Sequence, residues 1–400
     1  MRLTLLNQFY APDISPTAQL AASLAEHRAD RGDRVTVVTG RSGYLEGLAP
    51  AGSLRTGPGL RISRIWTPAL GKSSHLRRLL GYLSFSLGSA LRMLTLPRQD
   101  VVIAMTTPPF VVVAALLHRL LHPSTRVVLW SMDCYPDAAE RFGELRAGGL
   151  TSRSLRALNR AVFRRVELVV GLDGAMVDLL ASQYAAGADQ PRFAVVPNWE
   201  RLALFPADAA SPPPWPGYEA LDLRGRTVVL YLGNTGVGHT FDTVLEAAAE
   251  LSEEAVFLFV GGGNRWRELE DAVVARRLTN VELRGYVPKE ETPAVMAGAH
   301  LALITLDPRS LGVMSPSKLH ANLAAGLPIL YIGPTGSNVD EAIERFDVGR
   351  SVRIGDVAGT VEAVRSLRDD LRLRAQARQA FEQAYCDEAT LPTFDRLLDG

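Results

Sequence analysis

Cysteine is nearly missing from this sequence: Cys134 and Cys386 are the only two in 400 residues. Two thiols make no disulfide framework, and they are consistent with a reducing compartment. Net charge is missing too, with 43 basic against 43 acidic side chains. No overall field supports nucleic-acid binding, and no nucleic-acid partner is expected. Long apolar runs are also lacking. The most lipid-like segment, PPFVVVAALLHRLL, is interrupted by His118 and Arg119 after about ten apolar residues, short of the roughly 18 needed to span a bilayer. No secretory leader is read in MRLTLLNQFYAPD, which has the pattern of a first strand and its loop. The signatures of several enzyme classes are absent as well. There is no Gly-x-Gly-x-x-Gly dinucleotide fingerprint, no complete Gly-x-x-x-x-Gly-Lys-Ser/Thr phosphate loop, no Gly-x-Ser-x-Gly elbow and no His/Cys/Asp cluster at metal spacing. His75, His118 and His122 fall in helical patterns and read as structural or exposed.

What is present is a globular composition, 47% hydrophobic and 22% charged, at a length that suggests two domains. Short β-branched runs alternate with amphipathic segments. RLTLLNQ, RVTVVTG, DVVIAM, RVVLWS, ELVVGL and FAVVPN read as strands in the first half, and TVVLYLG, AVFLFVGGG, VELRG, LALITLD and PILYIG in the second. This rhythm predicts two Rossmann-like α/β domains with mostly parallel sheets, facing each other across a cleft. The expected layout is a first domain over 1–204, a Pro-rich linker over 205–217, a second domain over 218–370, and a helical tail over 371–400 returning to the first domain.

Parallel sheets bind ligands beyond the carboxyl ends of their strands, so the loops there carry the functional reading. In YLGNTGVGHTF, Gly233, Asn234, Gly236 and Gly238 lead to His239; closely spaced glycines let backbone amides approach an anion. FVGGGNRWR repeats the form with Gly262 and Arg265, and reads equally as a bare turn that lets two domains close together, with solvent-facing arginines. Arg309 and Lys318, about nine residues apart, are placed to flank a diphosphate near Ser317, where helix-start N–H groups are unpaired. YIGPTGSNVDEAI offers Ser337 or Asn338 as a helix cap, and Glu341 either as a dipole partner or as an acceptor for sugar hydroxyls. On the first domain, Ser15, Pro16 and Thr17 follow strand one. Asp133 follows RVVLW and reads either as a turn cap or as a general base. Residues 72–96 mix Lys72, Arg77, Arg78 and Arg92 with Leu, Tyr and Phe. They read either as a helix resting on an anionic membrane or as one packed on the sheet with a basic outer side.

Several stretches together resemble one family. They are Gly-Asn-x-Gly at 233–236, VVPNW at 195–199, FVGGG at 259–263, PSKLHANLAAGLPI at 316–329, and the opening NQFYAPDISPTAQLAASLAEHRADRGDRVTVVTG. The chain resembles the GT-B retaining glycosyltransferases of family 4, in the branch that builds colanic-acid-type exopolysaccharides. The resemblance implies a nucleotide-diphosphate sugar donor on the carboxy-terminal domain and an acceptor on the amino-terminal one, either a glycan, a lipid-linked molecule or a small molecule. It implies Gly233–Gly238 and Lys318 near the diphosphate, His239 nearest the slot where the family often has a lysine, and Asp133 and Ser15–Thr17 on the acceptor side. No essential metal or other cofactor is expected, and the location is cytoplasmic or peripheral on the inner face of the membrane. The family commonly carries two glutamates with seven residues between them. Counting back from Gly326 puts Val313 and Ala321 in their places, with Asn322 or Glu341 as compensating groups. That departure keeps a non-catalytic nucleotide-sugar-binding protein in view, beside an epimerase or hydrolase using the same two domains.

Overall fold

The structure, a computed structural model, describes residues 1–13, 15–41, 57, 59–67, 75–185, 187, 190–205, 215–221, 223, 225–368 and 370–400. Lys72 and most of the Pro-rich segment read as a linker lie outside the described residues. Packing divides the chain into two units, Met1–Pro197 with Leu391–Gly400, and Asn198–Thr390. Residues 198–204 therefore belong to the second unit: Glu200 N–H donates to Tyr385 O at 3.1 Å, and Leu202 N–H to the Asp387 carboxylate at 2.9 Å. The expected tail over 371–400 is divided between the units at Thr390/Leu391.

The first unit holds seven strands: β1 (Arg2–Leu6), β2 (Arg34–Gly40), β3 (Leu60–Ile65), β4 (Val101–Met105), β5 (Arg126–Trp130), β6 (Leu168–Gly171) and β7 (Arg192–Val195). They are all parallel, in the order β3-β2-β1-β4-β5-β6-β7. The second unit holds β8 (Thr227–Asn234), β9 (Ala255–Gly262), β10 (Val281–Arg284), β11 (Leu301–Thr305), β12 (Ile329–Ile332) and β13 (Gly349–Val352). Its order is β10-β9-β8-β11-β12-β13, again all parallel. Each is the doubly wound α/β sheet that the alternating pattern predicts. The strands not anticipated, β3 and β13, are both sheet edges. Their LRISRI and GRSV lack the continuous apolar run that marks a strand covered on both faces.

In the second unit successive residues of a strand enter opposite cores, because side chains alternate across the sheet. Val228, Leu230, Leu258 and Val260 pack on one face; Val229, Tyr231, Phe257 and Phe259 pack on the other. Each such side chain, fully buried, contributes roughly 1.5–3 kcal/mol. Both sheets reverse their winding at one place, between β1 and β4 and between β8 and β11. The loops that leave these strands open the crevice where doubly wound sheets take their ligands.

The helix Pro16–Asp30 follows β1 and illustrates the local logic. Proline at its first position needs no N–H partner, the interior is alanine-rich, and His27 and Arg28 complement the dipole of the last turn. Arg28 is buried at its end. It donates to Asp33 at 2.6 Å, Asp395 at 2.7 Å and Asp399 at 2.7 Å. Asp395 and Asp399 stand on the helix Asp387–Asp399, whose Phe394 ring packs edge-on against Trp130, 4.7 Å between centroids.

Candidate functional site

The β8 switch-point loop brings three of the expected residues together. Lys318, first residue of the short helix Lys318–Ala324, donates to Asn234 O at 3.0 Å and to His239 Nε2 at 3.1 Å. Its Nζ lies 4.8 Å from the centroid of the Tyr231 ring, within cation–π range. The Tyr231 hydroxyl donates to the same Asn234 carbonyl at 2.8 Å. His239 Nδ1 lies 2.6 Å from Thr305 O, at the end of β11. A carbonyl only accepts, so the hydrogen-bond pattern assigns the proton to Nδ1 and leaves Nε2 as the acceptor for lysine.

The electrostatics follow from that arrangement. Burial pulls the Lys318 ammonium down to about 7. Burial, and then the Lys318 charge, hold the His239 imidazole down at about 3. The histidine is thus a neutral prop that aims the lysine, and the one cation of the trio is Lys318. No acidic group is bonded to it among the described residues, which leaves a desolvated positive charge at a strand end.

Glycines make the close approach possible. Gly233 has φ +121°, and a Cβ there would sit 3.4 Å from Lys318 Cε. A Cβ on Gly261, paired with Gly233 across β8 and β9, would come within 2.1 Å of the Gly233 carbonyl oxygen. Gly261→Ala is therefore expected to destabilise the second unit by more than about 2 kcal/mol. A denaturant titration checks this; an unchanged midpoint would contradict the packing described here.

The other expected residues are placed differently. Arg309 is exposed and held by Asp307 in a two-point ion pair, Nε to Oδ1 at 2.9 Å and Nη2 to Oδ2 at 2.7 Å. Arg265 is bound by Glu268 and donates to His239 O, so it braces the loop. Gly238 O accepts from Asp307 N–H at 2.9 Å and from the Ser310 hydroxyl at 3.2 Å, tying the β8 and β11 loops together. Gly236 O accepts from His239 N–H at 3.2 Å, and Gly262 O from Thr235 N–H at 2.7 Å. Ser317 is exposed and caps the lysine's helix without a side-chain bond. Ser337, not Asn338, is the cap of the helix Asn338–Phe346, accepting from Asp340 N–H at 3.2 Å. Asn338 donates to Pro316 O at 3.2 Å and so fixes the turn before Lys318. Glu341 is exposed in the same helix. Asn322 is buried with its Oδ1 unpartnered among the described residues, Val313 is fully buried, and Ala321 packs against the core.

In the first unit, Asp133 lies beyond β5 and is half-buried. Burial pushes its carboxyl up to about 6. Its N–H and that of Met132 donate to Thr106 Oγ1 at 3.1 and 2.9 Å, joining the ends of β4 and β5. Asp133 helps to line a cavity of about 30 Å³, with Thr106, Phe110 and Asn159 among its neighbours. The segment after it is fixed from behind: Asn159 donates to Tyr135 O at 2.6 Å, and Arg156 donates to Asp137 at 2.7 Å. Ser15 caps the helix after β1 while its own hydroxyl, buried, has no partner among the described residues. Pro16 and Thr17 form the first turn of that helix, Pro16 exposed and Thr17 half-buried.

Residues 17–199 match the family model of the glycosyl transferase 4-like domain, and residues 226–370 that of the glycosyl transferases group 1. The chain is a glycosyltransferase of the GT-B fold. Among relatives of this glycosyltransferase, WbjE of Pseudomonas aeruginosa is 24% identical over 303 residues, covering 74% of each chain. The colanic acid biosynthesis glycosyl transferase WcaI of Escherichia coli is 24% identical over 365 residues, covering 86% of each. Among solved structures, Anabaena HepE in complex with UDP superposes with a TM-score of 0.72 at 14% identity, over the full length of both chains. The glycosyltransferase is thus related to the colanic-acid branch.

Sequence reasoning missed Tyr231, Thr305 and Asp307. Tyr231 reads as an ordinary core residue of a strand, and Thr305 acts through its backbone carbonyl, which no side-chain motif announces. Asp307 stands two residues before Arg309 and was a legible sign that the arginine is already paired.

Proposed function

We propose that this glycosyltransferase is a retaining enzyme of the family 4 type. It transfers a glycosyl group from a nucleoside-diphosphate sugar to a glycan, lipid-linked or small-molecule acceptor in cell-surface polysaccharide assembly, on the cytoplasmic side. The observation that carries this reading is the Lys318 ammonium, held by Asn234 and His239 at the switch point of the second sheet. A desolvated cation with one N–H donor unspent among the described residues matches a diphosphate leaving group. The bond from the anomeric carbon to the diphosphate breaks, and its electron pair goes to the phosphate oxygen. The acceptor oxygen bonds the same face of that carbon. Asp133 is assigned the acceptor-side role of general base, taking the hydroxyl proton, and its raised pKa suits that task. Arg309 contributes less, because Asp307 already offsets its charge. No essential metal is expected.

Calorimetric titration with UDP, GDP, ADP and TDP, with and without EDTA, tests the donor side. One of the four is expected to bind equally in both conditions; binding of none would overturn the reading. An inverted anomeric centre in the product would overturn retention.

A pH dependence follows from the same two groups. The Asp133 base is active when ionised, so the rate rises with pH through about 6. Lys318 acts when protonated, so the rate falls above about 7. A narrow bell in kcat/KM with limbs near these values is the expected profile; a flat profile from about pH 5.5 to 8.5 would contradict the assignment.

A further inference from the structure

The helix His75–Thr95 carries a feature that donor chemistry does not use. Leu80, Leu83, Leu87, Leu91 and Leu94 are all between 40% and 65% exposed. At 100° per residue they fall within an arc of about 80° and form a stripe about 21 Å long. The opposite side, with Phe85, Ser89 and Met93, is fully buried. Among the described side chains the outward face is therefore led by leucines, with the exposed Arg77 at its amino end. Arg92 turns away from it to donate to Ser63 at 3.0 Å. Trp66, 67% exposed, follows Ile65, whose side chain touches Gly88 of the helix. At the far end, Met93 O meets His118 Nδ1 at 2.8 Å, near the exposed Leu120 and Leu121.

A contiguous apolar stripe of this size on a soluble surface marks a docking site. Charge identifies the occupant. Between Glu46 and Asp100 the sequence has no acidic residue and eight basic ones, in a chain whose net charge is zero. Arg61, Arg77 and Arg98 of this stretch are exposed. Two copies of the chain meeting through this face would bring like charges together, whereas an anionic lipid surface is complementary to it. No helix among the described residues is long and apolar enough to cross a membrane, so the geometry is that of a helix lying in the interface plane.

We propose that the helix His75–Thr95 docks the protein on an anionic bilayer, with its leucine stripe and Trp66 in the apolar boundary and the arginines at the headgroups. The inference rests on the first unit alone and stands whether or not the donor-site reading holds.

Flotation with phosphatidylcholine vesicles, and with vesicles one-quarter phosphatidylglycerol, tests it. Binding to the anionic vesicles is expected, weakened by salt at about 1 M. Leu83→Ser with Leu87→Ser removes exposed side chains and is expected to lower the partition coefficient at least about tenfold, at an unchanged melting temperature. A second variant, Arg61→Glu with Arg77→Glu, leaves the stripe intact and is expected to abolish the preference for phosphatidylglycerol. The proposal is overturned if the wild type floats with neither vesicle. It is equally overturned if sedimentation shows a dimer that the serine variant dissociates while vesicle binding is nil.

Discussion

Replacing Lys318 with alanine is expected to lower kcat/KM by about a hundred- to a thousandfold, the range found when a preorganised transition-state donor is removed. The size of the effect comes from the environment. The ammonium sits half-buried over Tyr231, held by one carbonyl and one neutral imidazole, so little countercharge weakens it. A diphosphate gaining negative charge as it leaves meets an almost uncompensated cation. The same variant should melt at an equal or higher temperature. Burial depresses the lysine's pKa below its unfolded value, so the protonated side chain costs stability throughout neutral pH, and alanine removes that cost. Lys318→Met, which keeps contact with the Tyr231 ring, should behave alike in both respects. Initial rates, nucleotide titrations and thermal melts check the three claims together. An unchanged rate and affinity would remove Lys318 from the phosphate site, whereas a collapsed melt would show that the lysine is structural.

The second large effect concerns Arg28. Burial alone would lower its pKa, but the bonds to Asp399, Asp395 and Asp33 outweigh burial and hold it fully charged. Removing the cation leaves Asp33, largely buried, with the Met1 ammonium, and Asp395 with only His27 and the exposed Arg31 at its rim. Arg28→Met is therefore expected to destabilise the first unit by about 3–5 kcal/mol. Hydrogen exchange over residues 391–399 should accelerate with it, since Asp395 and Asp399 are the helix's ionic attachments to Arg28. Asp395→Asn in the same background should recover part of the loss, because it removes a buried charge that has lost its strongest partner. Native-like exchange in the single variant would show that Phe394 packing, not the ion cluster, holds this helix.

How far the sequence could be read depends on the range of the interactions. Strands buried on both faces, such as β4 and β9, announce themselves as unbroken apolar runs. The edges β3 and β13 do not, because one side meets solvent or helix ends and polar residues are allowed there. Lys318 was legible because its turn chemistry is local, Ser-Pro-Ser before a helix. Its cage was not: Tyr231 lies 87 residues upstream and Thr305 contributes only a carbonyl. Arg309 and Arg265 are visible in the sequence as side-chain types beside phosphate-like loops; how firmly Asp307 and Glu268 hold them is seen only in the fold. The partners of Arg28 at 395 and 399 are likewise invisible until the chain is folded.

The divided first unit has a consequence for synthesis. Its last segment, Leu391–Gly400, leaves the ribosome only after the whole of Asn198–Thr390 has been translated. At typical elongation rates that delay is roughly ten to forty seconds. During it the nascent first unit has Arg28 without Asp395 or Asp399, and Trp130 without Phe394. The second unit is free to complete its sheet in that interval. The half of the molecule that is made first is thus the half that finishes folding last.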